Sequence, residues 1–283
     1  CHLQGISVLK EGKSFYDFKP GMELNQFFEV YQSRFTDSLS SFLMASHPDR
    51  LRMSKCFVES NKTDDGLTCI TCHNPHVNVK DVDKAYFNSK CISCHNEVGC
   101  KETEVERNKL EDNCTACHMS KSSTYDIPHV NITDHKISRI PIVRDYTKQD
   151  VTKSELEKQQ DFIKLVCRTS TESNDKLNAK AYLNYFEKYA PNPDLLNTVE
   201  DYLNNYKNQS ELLNLYVRLY FLKSDFEKVE QYSKSIAPHL VKDEWTAYRI
   251  GQSLFNLEKH NESVLFLERA VELAPLDIDF KQK

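Results

Sequence analysis

Three short stretches of this chain carry residues suited to the same covalent chemistry. Cys69-Ile70-Thr71-Cys72-His73, Cys91-Ile92-Ser93-Cys94-His95 and Cys114-Thr115-Ala116-Cys117-His118 all read Cys-x-x-Cys-His. Two thiols three residues apart stand on one side of a single helical turn, where they can add to the two vinyl groups of one haem. The histidine that follows then lies beneath the iron and supplies its proximal nitrogen. A zinc ribbon is the competing chemistry. Eighteen residues separate Cys72 from Cys91 and 19 separate Cys94 from Cys114, and both gaps suit paired zinc knuckles. Zinc has no need of a His after every second Cys, however, and three knuckles leave one without a mate. A thioredoxin-like dithiol fits less well still, because no βαβ pattern surrounds any of the pairs.

Cys1-His2 reads as the last two residues of a fourth such motif, with a chance dipeptide or an acylated N-terminal cysteine as the competing readings. Counting it, the proximal histidines are His2, His73, His95 and His118. The same half of the chain holds four more, His47, His76, His129 and His135. That is one distal candidate per haem, enough to close every iron with a second imidazole. All four lie in segments rich in Pro, Asp, Asn and Ser, which read as loops able to fold back. Any one of them alone reads more simply as a surface or hydrogen-bonded histidine. Met22, Met44 and Met53 are weaker alternative ligands. Which distal histidine serves which haem is not legible from spacing.

The elements that must position these groups divide the chain in two. Nine of ten cysteines fall between Cys1 and Cys117, and eight of ten histidines at or before His135. The 39% hydrophobic content is low for 283 residues, so the motif-bearing half must compensate for a thin apolar core with something covalent or metallic. From about Thr152 the pattern turns helical, with Leu, Tyr and Phe recurring every three or four residues. Ile250-Gly251, Leu254, Leu267, Ala270 and Pro275 fall at the spacing of the tetratricopeptide consensus, in which a small residue lets two helices approach. Ser263 and Ala247 depart from that consensus. Tyr216, Val217 and Tyr220 repeat the frame 34 residues earlier, and Asp175–Tyr189 with Pro193–Tyr206 reads as a further helix pair, with Pro191 and Pro193 between the helices. The expected fold is therefore mainly α. A loop-rich multihaem cytochrome c domain with little sheet spans 1–148, and an α-helical tetratricopeptide-like solenoid spans 149–283. Such arrays usually present a concave surface to a partner protein.

The remaining cysteines are Cys56, Cys100 and Cys167. An exported protein is free to oxidise thiols, which makes Cys56–Cys100 the expected disulfide. Cys167 is expected inside a helix over 161–168, as a buried and inert thiol. The net charge of −5 argues against general nucleic-acid binding, which needs a basic excess. No apolar run approaches the roughly 18 residues of a membrane span.

Several stretches together resemble a known group. Gly66-Leu-Thr-Cys-Ile-Thr-Cys-His-Asn-Pro-His76, Met53-Ser-Lys-Cys56, Cys117-His-Met-Ser-Lys-Ser122 and Asp126-Ile-Pro-His-Val-Asn-Ile-Thr-Asp-His135 are similar to bacterial multihaem cytochromes related to the cytochrome c554 and octahaem groups. Some members of that group fuse the haem region to tetratricopeptide repeats. In relatives a segment like Gly12-Lys-Ser-Phe-Tyr-Asp-Phe-Lys-Pro-Gly21 follows a Cys-x-x-Cys-His motif, which supports reading Cys1-His2 as a truncated site. The resemblance implies haem c as cofactor, electron transfer, export, and a periplasmic or cell-surface location in a bacterium. A redox partner or larger assembly is then expected at the repeat domain. Relatives include both carriers and reductases, so a reductase of small nitrogen or sulfur oxyanions stands beside the carrier reading, with a zinc-stapled scaffold as the third.

Overall fold

In the computed structural model the described residues are 5–35, 46–63, 66–95, 99–123, 131–140, 162–172, 174–189, 192–206 and 209–280. Among them are twelve α-helices and two small sheets, so the chain is mainly helical. It forms two compact units. One is Phe35–Ile163, and the other joins Gly5–Arg34 to Lys164–Lys283. The N-terminal segment 5–34, assigned by sequence to the motif domain, thus belongs to the helical unit. The expected 148/149 boundary lies outside the described residues.

In the helical unit, β1 (Ile6–Leu9) and β2 (Phe28–Phe35) form an antiparallel pair with Ile6 opposite Tyr31 and Leu9 opposite Phe28. Gly5 opens it for a steric reason. Its φ is +150°, and a Cβ there would sit 2.3 Å from the Tyr31 carbonyl oxygen. The third strand of this sheet, β5 (Phe162–Cys167), lies beside β2, which corrects the helix expected over 161–168. The segment Phe-Ile-Lys-Leu-Val-Cys carries β-branched and aromatic residues suited to a pleated surface, and tertiary pairing with β2 decides the matter. Cys167 is half-buried there, and its thiol donates to Glu29 Oε2 at 3.1 Å.

Against this sheet packs α7 (Asp175–Tyr189). Tyr31 donates its hydroxyl hydrogen to Asn178 at 2.9 Å, and the Leu165 N–H donates to the Tyr182 hydroxyl at 3.1 Å. The rest is a run of helices, each packed on its sequence neighbours: α8 (Asp194–Asn205), α9 (Leu213–Leu222), α10 (Phe226–Ser233), α11 (Glu244–Asn256) and α12 (His260–Leu273). The helix pair expected over Asp175–Tyr189 and Pro193–Tyr206 is present. Leu183, Val199, Leu203, Val217, Leu219, Val229 and Ile250 are wholly buried, and within α8 Leu195, Leu196, Val199 and Leu203 recur at the three-to-four-residue spacing of one helical face. Between α11 and α12 the backbones approach closely. A Cβ on Gly251 would meet Leu267 Cγ at 2.7 Å, and Ser263 donates to the Gly251 carbonyl at 2.8 Å.

The motif unit is built differently. Its helices are short: α1 (His47–Arg52), α2 (Lys55–Ser60), α3 (Cys69–Cys72), α4 (Lys84–His95), α5 (Glu104–Asn108) and α6 (Cys114–His118). A two-stranded antiparallel ladder joins β3 (Lys121–Ser123) to β4 (Asn131–Thr133). Leu51 is the one buried apolar side chain among the unit's described residues. The other buried groups there are Ser46, Arg50, Ser54 and Asp134.

Candidate haem-attachment site

Each Cys-x-x-Cys pair occupies a helical turn that its local sequence sets up. Thr68 and Thr71 form a capping box around α3. Asn113 caps α6, its Oδ1 accepting from the Thr115 N–H at 3.0 Å and the Ala116 N–H at 3.3 Å. Cys91, Cys94 and His95 form the last turn of α4. Three residues apart on a helix, both thiols of each pair share a face. Helix α4 packs on both α3 and α6, so the three motifs are gathered side by side.

One side chain that sequence spacing does not single out sets part of this arrangement. Asn88 on α4 accepts from the Cys114 N–H at 3.0 Å and donates to the Asp112 carbonyl at 3.0 Å. It fixes the start of the third motif against the second. Nothing in the local sequence distinguishes it from any other helical Asn, because its partners are backbone groups 24 and 26 residues away.

Cys69 and Cys94 are exposed, and Cys72, Cys91, Cys114 and Cys117 are half-buried. Burial, followed by the neighbouring Cys114, pushes the Cys91 thiol up to about 11. Cys56 and Cys100 are free thiols in different surroundings: Cys56 lies near Cys94, and Cys100 near Cys114 and Cys117. The expected Cys56–Cys100 bond is not formed. The reason is placement, since each sits near a different motif.

Three of the singled-out histidines come together. The ring centroids of His47 and His135 are 4.2 Å apart, and those of His73 and His135 are 6.0 Å apart with planes inclined by 33°. Phe87 meets His73 edge-on at 5.6 Å. Burial, then the neighbouring His47, pushes His135 down to about 4, so its ring is neutral near pH 7. His118 stands elsewhere, with Nδ1 2.7 Å from the Ser138 carbonyl oxygen, and His135 Nδ1 lies 3.0 Å from that of Thr133. A carbonyl only accepts, so Nδ1 is the donor in both rings, and Nε2 is the nitrogen left to face a ligand. That is the hydrogen-bonding pattern of a ligating histidine.

His76 and His95 are exposed. Met53 is half-buried at the end of α1 and accepts weakly from Arg50, and Met22 is exposed in the other unit. Cys1, His2, Met44 and His129 lie outside the described residues.

The loop bearing His135 is braced from two sides. Arg50 Nε donates to Asp134 Oδ1 at 2.8 Å, and a second guanidinium nitrogen meets Oδ2. Both side chains are buried, and the carboxyl is held below its usual range. Burial opposes this, but the Arg50 hydrogen bond and the Lys136 N–H outweigh it. Ser54 donates to the His135 carbonyl at 3.0 Å and accepts from the Ile137 N–H at 2.8 Å.

Whether these residues fit haem or zinc can be tested on the geometry. Among the described residues no group of three His, Cys, Asp or Glu converges as a metal ion would require, so the thiols are not arranged as a tetrahedral zinc cage. Haem asks for something else: two thiols on one face, an adjacent histidine and an apolar neighbourhood. Ile70 and Ile92, inside the first two motifs, are 67% and 53% exposed, and Val58, Val77, Val79 and Leu110 are also exposed. Two thiols on one face of each turn with a histidine next to them, and exposed apolar side chains among the described residues around them, are compatible with such a group.

The helical unit holds a concavity of about 640 Å³, lined by residues that include Lys180, Asn184, Glu187, Arg218, Trp245 and Arg249. Glu187 accepts from Arg218 and from Arg249, and Arg249 also lies over the Trp245 ring at 5.5 Å. No helix among the described residues is long and apolar enough to cross a membrane. No family model, curated protein or solved structure matches the chain.

Proposed function

We propose that this chain is a multihaem c-type cytochrome that carries electrons, akin to the cytochrome c554 and octahaem groups. The observation that carries this reading is the unit Phe35–Ile163. It is organised around three Cys-x-x-Cys-His turns, yet Leu51 is the one buried apolar side chain among its described residues. Burial of apolar surface is the main favourable term in folding, and a unit lacking it needs an apolar body from outside the polypeptide. A bound haem c would supply that body together with an iron that gives and takes one electron.

The chain's own residues do the rest. Cys69 with Cys72, Cys91 with Cys94, and Cys114 with Cys117 provide the thioether attachments, and Cys1 belongs to a fourth. His73, His95, His118 and His2 are the proximal ligands. His47, His76, His129 and His135 supply the distal side, so that each iron is closed to small substrates. Motifs spaced about twenty residues apart along the chain, and packed through α3, α4 and α6, favour electron exchange between neighbours. Such attachment chemistry belongs to an exported protein, periplasmic or at the cell surface of a bacterium. The helical unit is a tetratricopeptide-like array that docks a redox partner or a larger assembly, and its concavity with paired charges and an exposed Trp245 supports this.

The test is the absorption and low-temperature EPR spectrum of the purified, oxidised protein. Sharp c-type bands on reduction with low-spin ferric signals alone are the expected result. A high-spin signal that shifts with nitrite, hydroxylamine or cyanide would replace the carrier by a reductase with an open haem. A colourless, zinc-containing protein would overturn both.

A further inference from the structure

We infer that His73 and His135 are the two axial ligands of one iron, that of the haem attached at Cys69 and Cys72. This rests on the cytochrome reading above and assigns a pairing that spacing along the chain leaves open. The argument is one of distance. Metal–imidazole bonds of about 2 Å on each side, plus the half-width of each ring, put two ring centroids about 6 Å apart across a shared metal. The His73 and His135 centroids are 6.0 Å apart. His47, at 4.2 Å from His135, is too close to face it across an iron. Its ring meets that of His135 directly, with the two planes inclined by 43°.

Two further observations point the same way. His135 Nδ1 donates to the Thr133 carbonyl at 3.0 Å, which leaves Nε2 as the free lone pair. The loop is also held before any ligand arrives. Asp134, adjacent to His135, is tied to Arg50, and its backbone N–H donates to the Ser120 carbonyl at 2.8 Å. Ser54 grips the chain on both sides of residue 136. A distal ligand carried on so fixed a loop loses little entropy when it binds. Arg50, Asp134 and Ser54 are therefore positioning residues for His135.

The experiment compares the full haem-loaded chain with H135A, the C69A/C72A double variant and the triple variant. It measures the haem count by pyridine haemochrome and the spin state of the oxidised protein by EPR. H135A is expected to keep the wild-type count while one haem equivalent changes from low spin to high spin. C69A/C72A is expected to lose one haem, and adding H135A to it should produce no new high-spin signal. An all-low-spin H135A overturns the pairing. So does a triple variant that still gains a high-spin haem, since His135 would then serve a different iron.

If H135A does not accumulate, H135M keeps a sixth ligand and should raise the midpoint potential of one haem, as His/Met ligation does. That rise should vanish in the C69A/C72A background, and an unshifted H135M overturns the pairing. A wild-type protein without c-type bands sinks the cytochrome reading itself and the pairing with it. That outcome is separate from the previous ones, in which the haems are present.

Discussion

The helical unit buries Leu183, Val199, Leu203, Leu219 and Ile250 with no measurable exposure, whereas the motif unit buries Arg50, Ser54 and Asp134 and leaves Ile70, Ile92, Val105 and Ile140 in the open. The two halves of one chain therefore resist unfolding by different means. Helices α7 to α12 pack apolar faces together, which is enough for an array whose neighbours in sequence are neighbours in space. Helices α1 to α6 present no such face: Leu51 is the one buried apolar side chain among their described residues. Short isolated helices are marginal in water, so their order depends on caps, a buried ion pair and, in the reading proposed above, the attached macrocycles. The lesson is that a unit with so little buried apolar surface must be held by other means, which in the proposed reading are the haems.

If the motif cysteines carry haem as proposed, the largest effect expected from this contrast comes from preventing its attachment. With Ala at all six motif cysteines, amides across 46–140 should lose hydrogen-exchange protection while those across 174–280 keep theirs. A motif unit that stays protected would show that the polypeptide alone suffices to order it.

A substitution in the other unit should have the converse outcome. Alanine elsewhere in a helix is better than glycine by about 1 kcal/mol. At Gly251 the added Cβ would meet Leu267 Cγ at 2.7 Å, so G251A should instead cost about 1–3 kcal/mol. Urea unfolding followed by far-UV circular dichroism would read this as a lowered midpoint, with the haem bands unchanged. An unaltered or raised midpoint would mean that α11 and α12 can separate freely.

The smallest effect is electrostatic. The Lys223 ammonium, with the Tyr220 hydroxyl donating at 2.7 Å, holds the Glu200 carboxyl below the usual carboxylate range despite partial burial. A carboxyl with a lowered folded-state pKa contributes stability that is complete above its unfolded value. The contribution is lost as pH falls through the folded value. The helical unit should therefore weaken on acidification, and E200Q should reduce that loss by about 0.5–1 kcal/mol, the scale of a pair still in contact with solvent. Thermal melts between neutral and acid pH check it, and parallel slopes for the two proteins would remove Glu200 from the account.

Much of the candidate site was legible because its chemistry is local. The turns of α3, α4 and α6 carry Cys-x-x-Cys-His within five consecutive residues, and the caps Thr68 and Asn113 adjoin two of them. Helix α7 occupies the expected Asp175–Tyr189 for a similar reason, an apolar face repeating along one element. The strand Phe162–Cys167 was not legible. Its short apolar run suits helix or strand equally, and a neighbouring strand decided between them. The Cys56–Cys100 pairing failed on the same ground, since which thiols approach one another is set by the packing of distant segments.

By itself, then, the sequence determined the thiol pairs with their adjacent histidines, the predominantly helical character and the separate composition of the two halves. All three depend on residues within a turn or two of one another. Only the tertiary structure decided that residues 5–34 join the helical unit and that Asn88 sets the third motif against the second. It also decided that His135, 62 positions beyond His73 in the chain, comes within 6.0 Å of it. Contacts across such separations follow from how the elements pack, and spacing along the chain carries no record of them.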